Sequence, residues 1–395
     1  MIYKQFKDLR LSWLGLGAMR LPATGQDYGS PIDHEKALEL MEYAYEHGVN
    51  YYDTAYFYHG GESERFVGKV LARFPRESWY LASKMPGSLI RFSDGKLEVS
   101  GFNMDSKIFS SPADIFEFQL KKCGVDYFDF YMLHNVSENN YGFYTDEKLN
   151  IIDCLVEQKA KGRIRHLGFS SHGRPDTIAD FLNYLDARNC DAFEFAMIQL
   201  NYMDWTLQDA GKKYDIITKH GLPVFVMEPL RGGKLANLGT NADNILKAAR
   251  PTDSQVTWAF RYLQSLDNIP VILSGMSSME QLKENLSLFA GHDPMTQTET
   301  ALLQQVMENI TELVPCTACR YCVEACPGNL NIPMLLKMYN EAGFHVGWFL
   351  KDALRAIKED EKPSACTSCG NCNPVCPQGI DIPQAMKKFN ELINR

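Results

Sequence analysis

The chain has 395 residues, 45% hydrophobic and 23% charged, and its 40 Lys and Arg against 49 Asp and Glu give a formal charge of −9. That length holds one large domain and a small one, or two to three ordinary ones, and the composition excludes a disordered or collagen-like chain. The acidity argues against nucleic acid as a partner. No apolar run approaches the roughly 18–20 residues of a membrane span, and Met1–Arg10 has no apolar signal core, which predicts a cytoplasmic protein.

From residue 12 to about 290, β-type runs alternate with helix-period stretches. The predicted strands are Trp13–Gly17, Val49–Asp53, Trp79–Lys84, Phe128–His134, Ile164–Ser170, Phe195–Gln199, Pro223–Glu228 and Val271–Ser274. After the first, Asp33 can cap a helix whose apolar face is Ala37, Leu40, Met41, Ala44 and Tyr45, ended by Gly48. After the third, Ser111 as cap with Pro112 at the first helical position opens a helix that stops at Gly124. Between that strand and its helix lies Pro86–Ser110, rich in Gly, Ser and aromatics (Phe92, Phe102, Phe109), either a surface excursion or a lid.

Eight strand–helix alternations over about 280 residues match a (β/α)₈ TIM barrel. A doubly wound open sheet competes, but no GxGxxG opens the first unit, since Gly15-Leu16-Gly17 runs on to Arg20. A helical stretch, Thr298–Leu313, then leads into a cysteine-rich tail: eight of the 11 Cys fall between Cys316 and Cys376. The expected domains are a barrel over 1–290, a connecting helix over 291–314 and a metal-binding module over 315–395.

Barrel active sites form at the C-terminal strand ends. Asp53, Lys84 and His134 end the second, third and fourth strands, and Tyr58 follows five residues after Asp53. Singly, each has an ordinary reading: one packing Tyr of 19, a snorkelling Lys, a satisfied His. Together on adjacent strand ends they suit proton delivery to a carbonyl. An ammonium lowers the phenol's pKa, a carboxylate holds the ammonium, and an imidazole bonds the carbonyl oxygen. Arg20, Tyr56, Phe57, His59, Met85 and Asn135 are the candidate pocket wall.

The run Tyr52-Asp53-Thr54-Ala55-Tyr56-Phe57-Tyr58 through Gly60-Gly61-Glu62-Ser63-Glu64 resembles the signature of the aldo-keto reductase family. So do Leu81–Lys84, Asp126 with Asp129–His134, and Gly162–Ser170. The resemblance spans residues 1–290 and implies that Tyr58 is the general acid, tuned by Lys84 and Asp53, with His134 orienting the carbonyl. It implies a nicotinamide site in which Ser170, Ser171 and Gln199 hold the carboxamide, Ser171 standing where the family usually has Asn. Pro229, Leu230, Gly232 and Gly233 then approach the pyrophosphate, and Gly275, Gln281 and Asn285 the adenosine. NADPH-preferring members put Lys and Arg where this chain has Gly275 and Gln281, so the cofactor NAD(P)H is expected to be NADH. Lys283 is expected to stay solvated on its helix.

The tail repeats one spacing: Cys316, Cys319, Cys322, Cys326-Pro327, then Cys366, Cys369, Cys372, Cys376-Pro377. This is the bacterial ferredoxin pattern for two 4Fe–4S clusters, in which the fourth Cys of each run serves the other cluster. Zinc usually takes well-separated CxxC pairs. Both runs continue into helix openings, Asn331-Ile332-Pro333 and Asp381-Ile382-Pro383, and the long linker between them resembles the α-helical ferredoxin type. Phe344, Trp348 and Phe349 are expected to be buried.

Barrel and tail together resemble the iron–sulfur-containing aldo-keto reductase branch. The resemblance implies an oxidoreductase acting on a small carbonyl or alcohol, its clusters exchanging electrons with a redox partner protein or a flavin, the usual converter between hydride pairs and single electrons. The alternatives are a nicotinamide reductase with structural clusters, and an electron-transfer protein whose barrel is a binding scaffold.

Overall fold

The eight predicted strands close into one parallel barrel. In chain order the described strands are β1 (Tyr3–Phe6), β2 (Leu9–Ser12), β3 (Leu14–Gly17), β4 (Tyr51–Asp53), β5 (Tyr80–Met85), β6 (Ile90–Ser93), β7 (Lys96–Gly101), β8 (Met104–Phe109), β9 (Phe128–Leu133), β10 (Ile164–Ser171), β11 (Phe193–Gln199), β12 (Val224–Met227) and β13 (Ile272–Ser274). The order β3-β4-β5-β9-β10-β11-β12-β13 returns to β3, so the open-sheet alternative is excluded. The computed structural model describes residues 1–25, 30–101, 104–310, 314, 316, 318–344 and 346–394, with the backbone alone at 88, 308–310 and 344. Phe102, Leu313 and the Phe344 side chain therefore lie outside what is described.

Local sequence sets the helices as expected. Asp33 accepts from Lys36 N at the start of His34–Glu46, and Ser111 accepts from Asp114 N at the start of Pro112–Cys123. Gly124, at φ 68°, ends the second helix in the left-handed conformation that suits glycine.

Two-residue alternation fills the barrel. Tyr51, Ala82, Phe130, Met132, Phe195, Met197, Phe225, Val271 and Leu273 form one interior cluster, joined by Phe6 and Leu11 of the β1–β2 hairpin. Phe6 lies 5.4 Å from Phe130 and 5.5 Å from Phe225, ring to ring, so the hairpin plugs the floor. The sequence reading places no strand before residue 12. The long Pro86–Ser110 stretch also gains structure, the antiparallel sheet β6-β7-β8, with Ile90, Leu97 and Val99 buried.

The chain divides into two compact units. The first, Met1–Trp205 with Asp209–Asn237 and Ser254–Met295, is the barrel. The second gathers Thr206–Gln208, Leu238–Asp253 and Thr296–Arg395. Within it, helices Ile332–Phe344 and Ile382–Ile393 share a core of Leu335, Leu336, Ala385, Met386 and Phe389. Trp348 departs from the expected burial and is 45% exposed, and Phe349 is half-buried. Their helix, Trp348–Arg355, buries Leu350 and Leu354. Position 348 lies about 200° around the helix from 350 and faces away from that stripe. Among the described residues no helix is long and apolar enough to cross a membrane.

Candidate active site and cluster sites

The alternation that fills the barrel also selects its polar rim. Tyr51, Ala82, Met132 and Met197 face inward, so Asp53, Lys84, His134 and Gln199, two residues further on, do so at the C-terminal strand ends. Register staggers them around the rim: Asp53 is opposite Ala82, two residues short of Lys84, and Lys84 is opposite Met132, two short of His134. Lys84 Nζ donates to Asp53 Oδ1 at 2.6 Å, to the Thr54 carbonyl at 2.8 Å and to Tyr58 Oη at 3.3 Å. The turn Tyr58–Gly61, with His59 and Gly60 at positive φ, folds Tyr58 back over the rim. The His134 ring meets the Tyr58 ring edge-on at 6.2 Å and stacks on Phe57 at 4.8 Å. Among the described residues, buried His134 Nδ1 and Asp53 Oδ2 have no hydrogen-bond partner.

Burial dominates the protonation of these groups. It pushes the Tyr58 phenol well above its ordinary range, reinforced by the Asp53 and Glu228 carboxylates. This reverses the lowering expected from the ammonium alone, because desolvation of a phenolate outweighs one neighbour already engaged by Asp53. Burial, then the charge of Lys84, holds His134 well below the usual imidazole range, so it is neutral. Burial pushes Lys84 down and Asp53 up, each opposed by its partner's charge.

A second buried network supports Lys84. Fully buried Glu64 accepts from Ser83 Oγ at 2.5 Å and Gln119 Nε2 at 2.6 Å and pairs with Lys122 Nζ at 3.0 Å. Gln119 also donates to the Lys84 carbonyl at 3.0 Å. Sequence reasoning gave Glu64 no role. The signal was a carboxylate on the inner face of the helix following Tyr58.

The nicotinamide candidates are only partly convergent. Ser170 Oγ accepts from Asn135 N at 2.9 Å, directly after His134. Gln199 Nε2 donates to Asp204 Oδ2 at 2.7 Å, and Arg231 Nε donates to Asp204 Oδ1 at 3.0 Å. Ser171, one residue past inward Ser170, has its Oγ on the Val136 carbonyl at 2.6 Å and accepts from Gly173 N. It is tied into the loop. The loop after β12 places Pro229 and Leu230 before Gly232 (φ 65°) and Gly233 (φ 90°), and nothing lies within 4 Å of where a Gly233 Cβ would stand. Gly232 and Gly275 both abut the Arg20 side chain, where a Cβ would come within 3.0 and 3.1 Å of it. This bare, glycine-walled cradle with a guanidinium fits a pyrophosphate. Gln281 Oε1 accepts from Ser277 N, Asn285 Nδ2 donates to Ser274 Oγ, and Lys283 lies over Tyr43. Sequence reasoning placed Arg20 only in the substrate wall and missed half-buried Glu228, whose charge faces both Arg20 and Tyr58.

Two other wall residues are corrected. Met85 follows inward Lys84, faces the opposite side of β5 and is fully buried. Tyr56 sits under Lys122, 4.7 Å from its ring centroid, toward the helix Pro112–Cys123. Phe57 is against His134, while His59 Nδ1 meets the Ser30 carbonyl and Asn135 is buried with its Oδ1 on His172 N.

In the second unit the cysteines sort into two cavities. Cys316, Cys319, Cys322 and Cys376 line one with Pro333, Leu336, Ile380 and Ile382. Cys366, Cys369, Cys372 and Cys326 line the other with Leu330, Ile332, Pro383 and Met386. The fourth cysteine has crossed over in both. Four thiols around a cavity with largely apolar walls, Arg320 and Gln378 adding to those of the first, fit a cubane cluster's donor set.

A sequence model of the aldo/keto reductase family matches residues 13–308, and one of a 4Fe–4S dicluster domain matches residues 315–380. The chain belongs to the aldo/keto reductase family and is an oxidoreductase of that type with a ferredoxin-like 4Fe–4S domain. It is 25% identical over 334 residues to the NADH-specific methylglyoxal reductase of Escherichia coli (strain K12), covering 76% of this chain and 96% of that protein. It is 25% identical over 314 residues to probable aldo-keto reductase 1 of Glycine max, covering 72% and 82%. Aldo-keto reductase AKR11C1 from Bacillus halodurans, in its holo form, superposes with a TM-score of 0.59 at 28% identity, covering 78% of this chain and 96% of that one.

Proposed function

We propose that the barrel reduces a small carbonyl compound, or oxidises the corresponding alcohol, with NAD(P)H, and that Tyr58 delivers the proton. One observation carries this reading: a single buried ammonium, Lys84, joins the Asp53 carboxylate to the Tyr58 hydroxyl beside His134. A bound nicotinamide supplies the hydride. Tyr58 enters the reaction protonated. As its proton leaves, Lys84 stabilises the phenolate and Asp53 keeps Lys84 charged. Neutral His134 donates a hydrogen bond to the carbonyl oxygen as charge develops there.

Ser170 and Gln199 would hold the carboxamide, with Ser171 supporting the loop beside them. Pro229, Leu230, Gly232 and Gly233 would carry the pyrophosphate with Arg20, and Gly275, Gln281 and Asn285 the adenosine end. NADH is the expected form. Gly275 has no side chain to offer a 2′-phosphate, Gln281 is engaged at Ser277, and Lys283 is turned to Tyr43. The NADH-specific relative in Escherichia coli supports this. We place the barrel over 1–290, the connector over 291–314 and the cluster module over 315–395, in a cytoplasmic protein. The eight tail cysteines would hold two 4Fe–4S clusters that exchange electrons with a partner protein or a flavin.

The test is Tyr58→Phe. NAD(P)H-dependent carbonyl reduction should fall by about 10²–10⁴-fold, the usual contribution of a general acid, with nicotinamide affinity unchanged. Full activity in that variant overturns the reading.

A further inference from the structure

The two cysteine runs share one backbone. At a spacing of 50 residues, Ala318 and Ser368 (φ 56° and 57°), Arg320 and Gly370 (69° and 78°) and Asn329 and Gly379 (51° and 63°) all take the left-handed conformation. Helices open at Ile332 and Ile382 at the same spacing. On this repeated scaffold the linings differ in one charge. Among the described residues, Arg320 is the only ionisable side chain besides cysteine that lines either cavity. It borders the first, and the equivalent residue at the second is Gly370. The other charges break the symmetry less directly. Glu324 and Asp381 line neither cavity, and the Asp381 carboxylate accepts from Gln384 N as a helix cap and from Asn373.

We infer that Arg320 polarises the dicluster module, giving the site of Cys316, Cys319, Cys322 and Cys376 the more positive reduction potential. A cluster gains one negative charge on reduction, and local charge is among the factors that set its potential. The guanidinium is always charged. The residue bonded to Cys319 cannot carry that charge far beyond a Debye length of about 8 Å. One electron placed on the pair therefore settles at the first site. The second site is oxidised by one electron and the first reduced by one, with no bond or proton changing place. Tyr321, 58% exposed beside Arg320, leaves that end of the module open to solvent.

The inference rests on the reading of both Cys₄ sets as electron-carrying cluster sites. It is tested by redox potentiometry monitored by electron paramagnetic resonance, on the full chain prepared anaerobically with its iron content measured. Wild type should show two separated one-electron steps. Arg320→Gly, whose positive φ suits glycine, should narrow the gap by at least a threefold change in electron distribution, about 28 mV at about 59 mV per tenfold. Arg320→Lys should keep the gap. Gly370→Arg, where a Cβ meets nothing within 4 Å, should narrow it from the other side, and the double variant should reopen it with the order of the two sites reversed. Coincident steps in wild type, or an unmoved gap in fully loaded Arg320→Gly, overturn the inference while leaving electron transfer standing. Zinc in place of iron, or iron that dithionite does not reduce, overturns both.

Discussion

Around Lys84, burial rather than nearest charge decides which groups carry protons, and this fixes the expected pH dependence. Tyr58 is raised well above its ordinary value, so it stays protonated through neutral and moderately alkaline pH and loses its donating form only above that. His134 is lowered well below its ordinary value and His172 is pushed down to about 3, so both are neutral at pH 7. Carbonyl reduction should therefore show a kcat/KM profile with no limb near the unperturbed imidazole pKa of about 6.5. A limb there that vanishes in His134→Gln would contradict the assignment. Arg20 gives a second expectation. Hydrogen bonds to charged groups contribute about 1.5–3 kcal/mol, so Arg20→Ala should weaken nicotinamide binding, followed by fluorescence, by about tenfold or more with kcat little changed. The tetrad was legible because alternation along a strand is a sequence property, and it carries Asp53, Lys84 and His134 to one rim. Arg20 against Gly232 and Gly275 was not legible, because that contact joins loops more than 200 residues apart. The same limit hid the strain there: Glu228 and Arg231, neither a glycine, hold φ of 55° and 49° beside the cradle.

Caps and turns were the most legible elements. Asp33, Ser111 and Gly124 act locally, through the hydrogen bonds and backbone conformation of their own turn. The β1–β2 hairpin was less so, since its worth lies in Phe6 reaching the floor aromatics of four distant strands. Helix–helix packing is equally nonlocal and makes a sharp prediction at Gly68. A Cβ there would lie 1.8 Å from the Cys123 carbonyl oxygen, so the helix Ser63–Leu71 approaches Pro112–Cys123 through a residue without a side chain. Because the obstacle is backbone, Gly68→Ala must part the two helices that hold Glu64 and Gln119. Overpacking of this kind costs about 1–3 kcal/mol, occasionally more. Gly68→Ala should lower the thermal midpoint and reduce activity together, whereas Gly142→Ala, with nothing within 4 Å, should keep both. The sheet β6-β7-β8 bears on the same region. Met104 Sδ would lie 2.9 Å from a Cβ at Gly61, in the turn that carries Tyr58, which favours a lid over a bare surface excursion.

At the scale of the whole molecule, two chemistries with different electron counts share one chain. In the proposed reaction the barrel rim passes a proton while a hydride moves, two electrons at once. The eight tail cysteines, crossing over between two cavities, suit groups that each move one electron. A hydride donor does not ordinarily release single electrons, so a converter, typically a flavin, must stand between them if they are coupled. This turns the coupling question into a correlation that a spectrometer can read. In anaerobic protein, NADH should bleach the broad iron–sulfur band only in proportion to the flavin measured in the same sample, whereas dithionite should bleach it in every sample. Tyr58→Phe should leave both responses unchanged, because neither needs a proton delivered to a carbonyl. Bleaching by NADH in protein shown to be free of flavin would contradict this and reveal a direct path from nicotinamide to the clusters. If NADH fails to bleach even flavin-containing protein, the barrel turns over on hydride alone, and the clusters answer to a separate redox partner.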